Sequence, residues 1–207
     1  MIDPIYCETL FNYLYSEIDG YSVSHAAREV HNKSEFTENF LYGELPFKTW
    51  KEIVERANPK KDGVFFDLGS GTGRVVISSH MLFNFKKSIG VELLKGLHDK
   101  ACEINKIYEA EVKPRILEYI ENRELQFLNK DIFDIDLREA DFILMNHPFK
   151  DNGLFDNLEA KMIKELKSGS KIVTTIRALK NPAFKQLGSK KYNFSWGEST
   201  AYFHEIV

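Results

Sequence analysis

Cysteine is nearly absent from this chain: Cys7 and Cys102 are the only two among 207 residues. Two thiols cannot build a multi-cysteine zinc cluster or a disulfide framework, so a reducing, cytoplasmic setting is expected. No stretch is apolar for long enough to span a bilayer, and Met1-Ile2-Asp3-Pro4 has neither the basic cluster nor the apolar run of a secretory leader. No membrane partner is expected. Positive charge is not in excess either. The 28 Lys and Arg against 31 Asp and Glu leave a formal net charge of −3, which argues against an overall basic surface holding nucleic acid through counterion release. The six histidines show no mutual ligand spacing, so no metal site is expected. Repeats and low-complexity tracts are also missing.

A hydrophobic fraction of 43% over this length supports one substantial core with room for a small extra lobe. Residues 1–60 lack strand-like apolar runs and are read as helical: roughly Pro4 to Ile18, with Ile5, Leu10, Tyr13, Leu14 and Ile18 near one face, then Ser24 to Val30, then a helix after Pro46. Trp50, Ile53 and Val54 form a core stripe on the third helix. Asn58-Pro59-Lys60-Lys61-Asp62-Gly63 marks a boundary, and residues 61–207 form the second unit. There, apolar runs ending at Leu68, Glu92, Asn129, Asn146 and Ile176 alternate with helical segments, the pattern of a doubly wound, mainly parallel α/β sheet. The tail departs from it: Lys191 to Trp196 and Thr200 to Val207 are read as an antiparallel hairpin turning through Gly197-Glu198-Ser199.

The richest segment is Val64-Phe65-Phe66-Asp67-Leu68-Gly69-Ser70-Gly71-Thr72-Gly73-Arg74, an apolar strand ending in a carboxylate just ahead of a glycine turn. In open α/β sheets, ligands dock outside such strand ends. A dinucleotide fingerprint requires G-x-G-x-x-G, yet the last position falls on Arg74 or on Val76. A carboxylate at Asp67 would also repel a pyrophosphate. S-adenosylmethionine has the opposite demand, with an ammonium and a sulfonium at one end, a ribose diol in the middle and an adenine amine beyond. Three successive strand ends supply acceptors for it: Asp67, Glu92 and Asp131, the last followed by Ile132. Arg74 is read as either capping a carboxylate or solvating its helix surface, with solvation favoured.

The fourth strand ends in Met145-Asn146-His147-Pro148-Phe149. There Asn146 can offer a carbonyl oxygen to an amine, Phe149 an aromatic wall, and His147 either a proton acceptor or a structural hydrogen bond. Enzymes that methylate planar amines carry a similar Asn/Asp-Pro-Pro-Tyr/Phe sequence, with His147 here replacing the first proline.

A parallel sheet finished by an antiparallel hairpin is the arrangement of class I methyltransferases, which the chain resembles from about Val64 onward. Tyr42-Gly43-Glu44, Asp67-Leu68-Gly69-Ser70-Gly71, Gly90-Val91-Glu92, Asn146, Gly169-Ser170-Lys171-Ile172-Val173 and Ser195-Trp196, in that order, also resemble the disruptor-of-telomeric-silencing family. These are protein lysine methyltransferases without a SET domain. The resemblance implies that Tyr42, Gly43 and Glu44 fold over the cofactor, that Asp67, Gly69, Ser70 and Gly71 hold its methionine end with Arg74 nearby, that Glu92 takes the ribose, and that Asp131 and Ile132 take the adenine. It also implies that Asn146 faces the methyl group beside Phe149, and that Tyr202 walls the lysine channel. The family's histone enzymes grip nucleosomal DNA with a lysine-rich segment that is not present after Val207, so the expected acceptor is a soluble, non-histone protein. A planar-amine or small-molecule methyltransferase and a non-catalytic cofactor-binding module remain the alternatives.

Overall fold

The computed structural model describes residues 2–31, 41–146 and 149–207. Its centre is a seven-stranded sheet of order β3-β2-β1-β4-β5-β7-β6. In chain order the strands are β1 (Gly63–Leu68), β2 (Phe85–Glu92), β3 (Glu124–Asn129), β4 (Phe142–Met145), β5 (Lys171–Thr175), β6 (Phe184–Phe194) and β7 (Gly197–Ile206). The first five run parallel, while β7 is antiparallel to both β5 and β6. All six residues of β1 are buried, as a central strand covered on both faces requires. Its alternation divides the core. Val64, Phe66 and Leu68 pack with Ile143, Ile172, Phe155 and Met162, whereas Phe65 packs with Trp50, Phe142, Val173 and Phe203.

Helices α1 (Pro4–Tyr15), α2 (Gly20–His31) and α3 (Phe47–Ala57) precede the sheet, and α4 (Arg74–Leu82), α5 (Lys95–Ile107), α6 (Leu117–Ile120) and α7 (Asn152–Glu165) connect its strands. The expected stripe of α3 is the core itself: Trp50 and Ile53 are fully buried, and the indole N–H donates to Ser79 Oγ at 2.9 Å. Helix α1 presents a different face from the one read in the sequence. Cys7, Leu10, Phe11, Leu14 and Tyr15 are buried, while Ile5 and Tyr13 are exposed, and the helix ends at Tyr15 rather than Ile18. The stripe at positions 7, 10, 11 and 14 fits helical spacing and meets Ile77 and Met81 of α4.

The hairpin turn is also corrected. Phe194 pairs with Gly197, so Ser195 and Trp196 make the turn and Gly197-Glu198-Ser199 belongs to β7. Trp196 stacks on Phe194 at 4.6 Å between centroids, and Ser195 is engaged by the chain ahead of α3. Those contacts take the two residues out of the ladder. Because β1 lies between β2 and β4, strand order reverses beside it, and a crevice opens at the carboxyl ends of β1 and β4.

Candidate active site

Asp67 and Glu92 lie at the carboxyl ends of β1 and β2, and both are buried. Backbone donors fix Glu92: Gly71 N–H reaches Oε2 and Leu94 N–H reaches Oε1, each at 2.8 Å. Burial nevertheless outweighs those bonds and raises its pKa above the usual carboxylate range. Asp67 has no such support. Its Oδ1 is buried without a hydrogen-bond partner among the described residues, and burial, with the Glu92 charge second, pushes its pKa up to about 8. A carboxylate held this way is short of a cation. The glycine turn beside it is built for close approach: Gly69 sits at φ 88, where a Cβ would point into open space, and Gly71 at φ 55, where a Cβ would lie 2.8 Å from the Tyr42 ring.

A loop ahead of α3 closes over this turn. Tyr42 O–H donates to Glu44 Oε1 at 2.8 Å and lies 3.1 Å from Thr72 Oγ1. Glu44 in turn ion-pairs with Arg74 at 2.9 Å, and the Arg74 guanidinium lies 4.5 Å from the Tyr15 ring centroid. Arg74 therefore does not solvate its helix surface; it ties the loop to α4. The hairpin turn holds the loop's other side, with Glu44 N–H donating to Ser195 Oγ at 2.9 Å and Ser195 N–H to Glu44 O at 3.1 Å. Tyr-Gly-Glu and Ser-Trp, read as separate motifs, thus form one junction, with Tyr21 of α2 joining it at 2.7 Å from Ser195 Oγ.

At the end of β4, Asn146 bridges two elements. Its Nδ2 donates to Gly43 O of the loop at 2.8 Å, and its Oδ1 accepts from Thr175 Oγ1 at 3.0 Å. Together these residues enclose a cavity of about 520 Å³, within the range of cofactor sites. The cavity brings together Tyr42, Gly43, Glu44, Asp67, Gly69, Ser70, Gly71, Arg74, Glu92, Asp131, Ile132, Asn146 and Phe149, all singled out in the sequence. Phe149 stacks on Phe133 with rings 9° apart, and Leu154 and Leu158 of α7 complete an apolar wall. Tyr202 is not among the lining residues. It pairs with Thr174 across β5 and β7, while its neighbours Ala201 and Phe203 fill the core under α3. His147 lies outside the described residues. Thr72, Phe133 and Ser24 line the cavity and were not singled out in the sequence. Ser24 is fully buried on α2 with no partner for its hydroxyl among the described residues, and nothing in its local pattern marks it.

The sequence profile of the family described as Histone methylation protein DOT1 matches residues 20–197, from α2 to the first residue of β7. The chain belongs to this family. Among its DOT1 relatives it is 30% identical over 172 residues to a histone-lysine N-methyltransferase, H3 lysine-79 specific, of Kluyveromyces lactis. That match covers 76% of this chain and 28% of the relative, so the chain spans less than a third of that protein's length. It is 29% identical over 140 residues to a protein-lysine N-methyltransferase of Saccharolobus islandicus, covering 64% of this chain and 74% of that protein. Solved structures share the fold. An RNA methyltransferase from Salinibacter ruber in complex with S-adenosyl-L-homocysteine superposes with a TM-score of 0.57 at 24% identity, over 78% of this chain and 92% of that one. The magnesium protoporphyrin IX methyltransferase of Synechocystis with bound S-adenosylmethionine gives 0.56 at 12%, over 89% and 97%.

This DOT1-family chain shares its fold with methyltransferases solved with S-adenosyl-L-homocysteine or S-adenosylmethionine. The residues present fit S-adenosylmethionine. An unpartnered buried carboxylate oxygen suits an ammonium, and a second carboxylate with anchored oxygens retains lone pairs for a diol.

Proposed function

We propose that this enzyme methylates the ε-amine of lysine side chains in a protein. The observation that carries the reading is Asn146, clamped at the cavity edge between the covering loop and β5 and backed by Phe149. On this reading Asp67 holds the ammonium of the cofactor, Glu92 the ribose hydroxyls, and Asp131 and Ile132 lie along the adenine, with Tyr42, Gly43 and Glu44 closing the site. The bound cofactor supplies a methyl carbon made electrophilic by a sulfonium.

The protein's part is to present a neutral amine in line with that carbon. A lysine pKa near 10.4 leaves roughly one amine in 2,500 uncharged at pH 7, a cost of about 4.6 kcal/mol. Met145, Phe149, Leu154 and Leu158 form an uncharged end of the cavity, and desolvation there lowers an amine's pKa. Asn146 Oδ1 accepts one hydrogen bond from Thr175 and keeps a second acceptor site for an amine N–H, which would aim the nitrogen lone pair. Holding the two reacting atoms in that orientation supplies most of the acceleration. Support also comes from the relatives named as lysine methyltransferases.

The test is methyl transfer from labelled S-adenosylmethionine to a recombinant lysine-rich protein and, separately, to transfer RNA. Acid hydrolysis of the protein should release labelled Nε-methyllysine. Label confined to the RNA would replace this reading with methylation of a planar amine, which the stacked Phe133 and Phe149 rings would then serve.

A further inference from the structure

Beyond β5 the chain makes an unusual turn at the catalytic end of the sheet. Ile176 has φ 68, in the left-handed region, although it is β-branched. Arg177 N–H donates to Thr175 O at 2.7 Å, which closes a three-residue γ-turn of the strained hand around it. Such a conformation persists only where its surroundings over-determine it. Here they do. Ile176 N–H donates to Thr200 O at 2.8 Å, and Thr174 Oγ1 donates to Arg177 O at 2.6 Å. Arg177 reaches back across the site, with Nη1 on Phe149 O at 3.0 Å and Nη2 on Asn152 Oδ1 at 2.7 Å, its guanidinium 3.9 Å from the Phe155 ring centroid. On the other side of Ile176, Thr175 holds Asn146.

The strained residue nonetheless buries only about half of its surface. Ile176 remains 49% exposed, one position from the side chain that orients Asn146. Core packing therefore does not account for a branched apolar residue where glycine or asparagine would sit without strain.

We propose that Thr175-Ile176-Arg177 is an acceptor-recognition turn, in which Thr175 positions Asn146 and Arg177 positions Phe149 and Asn152 while Ile176 meets an apolar side chain flanking the target lysine. The inference deepens the lysine reading and rests on it. Specificity follows from the geometry: an apolar neighbour beside the lysine covers Ile176 on binding, and a polar one leaves it wet.

The test uses the full chain and two peptides that share a central lysine, one flanked by leucines and the other by serines. The leucine peptide should be the better acceptor by about tenfold in kcat/KM, the effect of one well-buried apolar contact. In Ile176→Gly the preference should shrink to under twofold through a higher KM for the leucine peptide, with kcat and cofactor Kd unchanged and Tm equal or higher. Ile176→Val should keep the preference. Equal use of both peptides by the unaltered enzyme would overturn the proposal, as would a preference that survives in Ile176→Gly or a fall in that variant's Tm showing Ile176 to be a packing residue. These results would leave lysine methylation standing. Methylation of neither peptide, with label entering RNA instead, would overturn the lysine reading and this proposal together.

Discussion

On the proposed reading, Asp67 makes cofactor binding a proton-linked event. Its carboxyl is buried, Oδ1 has no partner among the described residues, and burial pushes its pKa up to about 8. Only the ionised form attracts an ammonium, so the proton must leave when the cofactor enters. The binding-competent fraction is about one half at pH 8, one in eleven at pH 7 and one in a hundred at pH 6, and the apparent Kd rises in inverse proportion. S-adenosylmethionine should therefore bind about fifty-fold more weakly at pH 6 than at pH 8, with close to one proton released per molecule bound at the lower pH. Calorimetric titration in two buffers of different ionisation enthalpy measures both quantities. Asp67→Asn should bind weakly at every pH and release no proton from this position. A wild-type Kd that stays flat between pH 6 and 8, with no buffer-dependent heat, would refute the reasoning.

The same carboxyl acts on stability with a definite sign. Its folded pKa lies above the unfolded value of about 3.9, so the cofactor-free protein is not penalised by Asp67 below pH 4, loses stability as pH rises from 4 to 8, and bears the full penalty above. Urea titrations should find Asp67→Asn more stable than wild type at pH 8.5, on the order of several kcal/mol, and nearly equal at pH 4. Asn146→Ala should lower kcat by at least a hundredfold in single-turnover assays and weaken cofactor binding only severalfold, because the same side chain also holds Gly43 of the covering loop. Gly71→Ala would place a methyl group 2.8 Å from the Tyr42 ring at φ 55, so equilibrium dialysis should show at least tenfold weaker cofactor binding in a folded protein. Trp50→Ala should cost about 3 to 5 kcal/mol in denaturant unfolding, because Trp50 is fully buried and hydrogen-bonded to Ser79.

The sheet and most of the residues that line the cavity were legible in the sequence because both are written locally. Asp67 near the end of β1, Glu92 at the end of β2, Asn146 just past β4, and glycines at positions 69 and 71 follow from short-range alternation and turn chemistry. What escaped depends on partners far along the chain. Local pattern did not decide whether Arg74 caps a carboxylate or solvates its helix, which Glu44 and Tyr15 settle, and the hairpin turn was misplaced because the Ser195 partner, Glu44, is 151 residues away. The face of α1 was misread for a related reason. Ile5 and Tyr13 fit an amphipathic pattern, but α4 approaches the stripe of Cys7, Leu10, Phe11 and Leu14 instead. Thr175 gave no signal of its own, since its role is defined by Asn146 on the neighbouring strand.

The central claim is that buried acids at the strand ends hold a cationic methyl donor whose reactive end meets Asn146. A crystal structure with S-adenosyl-L-homocysteine tests it most directly. The account expects the ligand's ammonium within about 3.2 Å of Asp67 Oδ1, its ribose hydroxyls on Glu92, and its sulfur facing the Asn146 and Phe149 end of the cavity. A ligand bound the other way round, or one leaving Asp67 Oδ1 without a partner, would contradict it.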